Sequence, residues 1–210
     1  MNVAVDPVLD RVTRRVINDP LDVPDATTAK HRIDEFTQNL GNTAAIVGAP
    51  WLLKQAVRLV RRSRVVPSAA AIAATASTLA AIAVSVQHLR VLASLLVHRL
   101  RAAGHPVDPA FVRRVTLALY LDPSVGADAA RPNRMAAAHL ATNWATHAVP
   151  LLRARKTATR VHRAADAIEA LDLDAALQRL ALERQRERDE ARAIDLRRAL
   201  PSEEATAHLD

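Results

Sequence analysis

The chain has no cysteine. That excludes disulfides, thiolate catalysis and sulfur-ligated zinc or iron–sulfur sites. Glycine is scarce, with 4 residues in 210, and no Walker loop, dinucleotide-binding glycine pattern or nucleophile elbow is present. Aromatic residues make up only 2% of the chain, too few for a base-stacking platform. Acidic residues are missing from a whole zone: no Asp or Glu lies between Glu35 and Asp108. The first residues lack a basic segment followed by an apolar run, so no cleaved secretory signal is expected.

What is present is alanine and arginine. Alanine is about a fifth of the chain, which favours helix and close backbone approach. Arginine supplies nearly all of the formal charge of +7, with lysine only at Lys30, Lys54 and Lys156. A GC-rich genome accounts for that bias as readily as attraction to anionic surfaces does.

Read in order, the chain punctuates itself into helices. Asp6-Pro7 is a cap-and-N1 pair, followed by Leu9, Val12 and Val16 on one face. Asp25 caps a second helix whose stripe is Ala29, Ile33, Phe36 and Leu40, with Gly41 placed for a C-cap. Pro50 then fits the first turn of a cationic helix bearing Trp51, Lys54, Arg58, Arg61, Arg62 and Arg64, with Pro67 marking a break after it. Residues 65–89 follow without a single charged side chain. As one helix they would span about 37 Å against roughly 30 Å of hydrocarbon. Arg90 interrupts the apolar run, which resumes from Val91 to Val97.

A turn at Gly104-His105-Pro106 and a cap at Asp108-Pro109 lead into a short helix carrying Phe111, Val112, Val115 and Leu119. Residues 124–133 read as the loop most suited to face a ligand. In the next helix His139, Asn143 and His147 share a face at a spacing of four, a polar stripe rather than a chelating pair. Pro150 restarts the helix through Val161, Ala165, Ile168 and Leu171. Asp174 then caps a last helix that buries Ala176, Leu177 and Leu180 before mixed charge takes over from Glu183 to Arg192. Arg186 and Glu190 are spaced there to pair.

These features predict an all-α fold, a multi-helix bundle with an Ala-rich central helical hairpin. It forms one domain over residues 1–200. Packing helices occupy 1–48, basic and apolar central helices 50–99, and C-terminal helices 108–200, with a frayed tail over 201–210. His88, His98 and His105 are simpler to read as interfacial or capping groups than as catalysts, and Ser85 and Ser94 as hydroxyls bonded back to the helix. No catalytic residue, metal or cofactor is implied. The acid-free centre points to an anionic membrane surface or a membrane protein as partner, through Trp51, Lys54, Arg58, Arg61, Arg62, Arg64 and Arg90, at the inner face of a cell membrane. The alternative is a soluble helical adaptor or homo-oligomer without catalytic activity. A further alternative is non-specific nucleic-acid binding through Arg58–Arg64.

Residues 76–123 also resemble a known family. Thr78-Leu79, Val91-Leu92-Ala93-Ser94-Leu95-Leu96, the turn Gly104-His105-Pro106-Val107-Asp108-Pro109 and the arginine-bearing helix Val112–Leu121 are similar to the bacterial EcsC family. The resemblance implies a helical, membrane-associated protein and no catalytic residue. It departs from the family in the central helix, where alanine and serine replace the expected glycine.

Overall fold

The computed structural model describes residues 5–46, 69–130 and 150–199. Among them the chain is all-helical: α1 (Val5–Asn18), α2 (Ala26–Ile46), α3 (Ala69–Ala102), α4 (Pro109–Leu121), a 3-10 segment (Pro123–Ala130), α5 (Pro150–Glu169) and α6 (Leu173–Ala199). The basic helix from Trp51 to Arg64, Pro67, the stripe His139–Asn143–His147 and the tail 201–210 lie outside the described residues. So does the first arm of the expected central hairpin, while the Ala-rich segment forms the single helix α3.

The apolar faces legible in the sequence are the ones that pack. Leu9 and Val16 of α1, Ala29 and Ile33 of α2, Phe111, Val112, Val115 and Leu119 of α4, and Val161, Ala165 and Ile168 of α5 are all buried. They surround α3, which touches α1, α2, α4 and α5. From Val91 to Val97 every α3 residue is buried, so over about two turns the helix has no outer face. A helix apolar all round is either the centre of a protein or a membrane span.

Here it is the centre, and this corrects the membrane reading. Val91–Val97, the resumed apolar run, is covered by protein, and among the described residues no helix is long and apolar enough to cross a membrane. The first half of α3 is mostly Ala, Ser and Thr, and its second half carries Gln87, His88, Arg90, His98 and Arg99. An anionic membrane surface or a membrane protein as partner, and a place at the inner face of a membrane, fall with that finding.

The helix ends are closed by identifiable groups. Asp25 Oδ1 accepts from the Thr28 N–H at 2.7 Å, which holds its carboxyl below the usual carboxylate range. Asp108 Oδ1 accepts from the Ala110 N–H at 2.8 Å, with Pro109 in the first turn of α4. At the end of α3 the Gly104 N–H bonds the Arg101 carbonyl and the His105 N–H bonds the Leu100 carbonyl, the paired pattern of a Schellman turn. Gly104 has φ 72, and a Cβ there would meet nothing within 4 Å. Gly104→Ala should therefore cost only backbone strain, about 1 kcal/mol, read as a lower denaturation midpoint at unchanged m-value.

Four expectations are corrected. The α1 helix already includes Val5, so Asp6 and Pro7 lie inside it and are not its cap and first residue. The α2 helix runs through Gly41 to Ile46 instead of stopping at the glycine. The last helix is capped by Asp172, whose Oδ1 accepts from the Ala175 N–H at 3.0 Å, and not by Asp174. Residues 123–130 are a 3-10 segment kinked at Gly126, with Ala129 and Ala130 buried, rather than an open loop.

Candidate functional site

Of the side chains expected to bind lipid or a partner, only Arg90 lies among the described residues. It is half-buried on α3; its Nε is buried without a protein partner, and its carbonyl accepts from the Ser94 hydroxyl at 2.8 Å. Ser94 and His98, one turn apart, then fix the link between α1 and α2. The Leu21 N–H donates to Ser94 Oγ at 3.1 Å, and His98 Nε2 donates to the Leu21 carbonyl at 2.9 Å. Both histidines flanking the α3 turn thus hold structure, since His105 Nε2 lies 3.4 Å from Asp174 Oδ1.

A polar cluster sits where α2, α3, α4 and α5 meet. His88 is 1% exposed, with Nε2 3.3 Å from Thr37 Oγ1. The Thr37 hydroxyl spends its one proton on the Ile33 carbonyl at 2.7 Å. Nε2 must therefore carry the ring proton and donate to Thr37, which leaves Nδ1 bare, and Nδ1 has no protein partner. Burial first, then the positive fields of His162 and Arg160, push this ring down to about 4, against a weaker opposing pull from Asp34. It is neutral at physiological pH.

Around it, the Tyr120 hydroxyl donates to Ser85 Oγ at 3.1 Å, and the Arg160 guanidinium lies 5.3 Å from the centre of the Tyr120 ring. His162 Nε2 is 2.9 Å from Asp34 Oδ1, close enough for an ion pair but not aligned as a hydrogen bond. Lys30 and Asp166 pair at 2.5 Å one turn away, so the same antiparallel seam joins α2 to α5 twice. Sequence reasoning singled out His88 and Ser85 but not their partners, because spacing within one helix carries no signal for neighbours on another.

This cluster is poorly built for chemistry. The one histidine–hydroxyl contact has its proton on the wrong atom for the ring to act as base toward Thr37, and that hydroxyl is tied to backbone. Among the described residues no group of His, Asp or Glu is arranged to hold a metal ion. The cluster positions helices.

The least ordinary surface is the outer half of α6. Its first turns pack through Leu173, Ala176 and Leu180, and Arg184 reaches Asp108 Oδ2 at 2.5 Å. From Gln185 to Asp195 every residue is exposed although the chain is helical. The pair Arg186–Glu190 suggested by spacing does not form within the chain; Arg186 NH1 sits 3.4 Å from Glu183 instead.

No family model matches the chain, no curated protein is similar to it in sequence, and no solved structure matches its fold. The resemblance to the EcsC family gains no support and is carried no further.

Proposed function

We propose that this chain is a non-catalytic helical adaptor: the bundle is a frame, and the outer half of α6 is the element that docks on another protein. The observation that carries this reading is the exposure of every residue from Gln185 to Asp195 in a helix. A helix that packs on its own domain hides one stripe, and this one hides none. Isolated helices of this length are marginal in water, so a partner has something to stabilise. The neutral, buried His88 and the structural engagement of Ser94, His98 and His105 support a role without catalysis.

A chain ending at Glu187 tests the reading, because it keeps the contacts of α6 with the bundle. Its thermal midpoint should fall within about 3 °C of the full chain's, since exposed residues away from packing contribute little. Amide exchange in the full chain should be fast over 188–199 and slow over 89–100. A collapse of the shortened chain's thermal transition would make the outer half part of the frame and end the adaptor reading.

A further inference from the structure

Leu182, Arg186, Glu190 and Ile194 follow one another on α6 at steps of four and form a single ridge. All are exposed: Leu182 is 62% and Ile194 51% accessible, the Arg186 side chain 73%. Leu182 and Ile194 are the exposed large hydrophobics among the described residues, and both lie in this row.

The order along the ridge is apolar, cationic, anionic, apolar. Turned end for end, it becomes apolar, anionic, cationic, apolar, which is its own complement. We infer that α6 docks antiparallel on α6 of a second copy of this chain, about a two-fold axis between Arg186 and Glu190; this rests on the adaptor reading and names the partner. Leu182 of each copy then covers Ile194 of the other, and Arg186 of each meets Glu190 of the other. Such an interface is isologous, the same patch used twice.

The charges are ready for it. Within the chain Arg186 has only its contact with Glu183, and no ion pair holds Glu190 among the described residues. Arg188 would place like charges at the axis, but two residues on from Arg186 it points to roughly the opposite side of the helix. Two ridges of this type cross at about −50°, so the contact is short, as a row of four side chains requires.

Sedimentation equilibrium of the full chain over a concentration series is the test, with Arg186→Glu and Glu190→Arg prepared separately and then mixed. The wild-type chain should show a monomer–dimer equilibrium that weakens with salt. Each single variant sets like charge against like across the axis and should dimerise at least ~10-fold more weakly. Mixed, every carboxylate of one variant meets a guanidinium of the other, and the association should return to within about threefold of wild type. Circular dichroism checks that each variant keeps its helix content. A wild-type chain that stays monomeric overturns the inference, as do single variants that dimerise like wild type or a mixture no tighter than its parts. None of those results touches the adaptor reading, which stands or falls with the chain ending at Glu187.

Discussion

Acidification from pH 7 to pH 4 should remove about 3 kcal/mol of stability through His88 alone. The ring ordinarily titrates at 6.5, and in the folded chain it is pushed down to about 4. Between those values the unfolded chain binds a proton that the folded chain refuses. Stability therefore rises with pH across this window and is complete above it. As pH falls it is lost at about 1.4 kcal/mol per pH unit. The physical origin is a ring 1% exposed, with its only hydrogen bond to Thr37 and with Arg160 and His162 nearby. A domain of this kind has only about 5–15 kcal/mol in total, so the loss is visible. Urea unfolding at pH 7.5, 5.5 and 4.5 should show it in the wild type and not in His88→Phe, which keeps the volume and has nothing to protonate. The other histidines are common to both chains and drop out of the comparison. Parallel pH profiles for the two chains would refute the assignment.

Replacing Arg99 by methionine should cost about 2 kcal/mol. Arg99 leaves α3 and donates NH1 to the Ile168 carbonyl and, at 3.0 Å, to the Leu171 carbonyl. Those acceptors lie at the end of α5 and in the bend before α6, where the last helical carbonyls have no partner within the helix. The Ile168 carbonyl also accepts the Leu171 N–H at 3.3 Å, so the guanidinium adds a second donor there, satisfies the Leu171 carbonyl and complements the negative end of the α5 dipole. Arg101 does the same for α1, donating to the Ile17 carbonyl at 2.8 Å. Arg99→Met keeps most of the stem and removes the donors. The denaturation midpoint should fall, and amides over 169–176 should exchange faster than those of 89–100, because the bend is released before the core opens. Arg99→Lys should recover part of the loss, since an ammonium can still reach one carbonyl. A change in Arg99→Met below about 0.5 kcal/mol would show that the bend is held by burial of Leu171 and Leu173 instead.

Both predictions concern residues whose role was hidden in the sequence. His88 reads in the sequence as an interfacial or capping group, and Arg99 as one more arginine at the end of an apolar run. Their partners, Thr37 and the end of α5, lie on helices far off in the chain. The polar cluster as a whole was equally illegible: Ser85, Tyr120, Arg160 and Asp34 share no spacing, and only packing brings them together. The four-residue row on α6 was half visible. The spacing of Arg186 and Glu190 suggested a pair within the helix, whereas the fold leaves Arg186 with Glu183 and Glu190 open. The cap at the start of α6 was misplaced by two residues because Asp172 and Asp174 offer the same chemistry, and only the backbone path decides which carboxylate faces the free N–H groups.

The sequence by itself determined that the chain is helical, where most helices begin and end, and which faces are apolar. Those are local consequences: Asp25 and Asp108 cap, Gly104 takes a positive φ, and Ile33, Val115 and Ile168 each belong to a buried apolar stripe on its own helix. Only the tertiary structure decided what surrounds α3. An uncharged helical segment such as Val91–Val97 looks alike to lipid and to protein, because both environments reward the same removal of apolar surface from water. The distinction comes from the neighbours: α1, α2, α4 and α5 cover Val91–Val97 on every side, and that cover turns what reads as a membrane segment into the centre of a bundle.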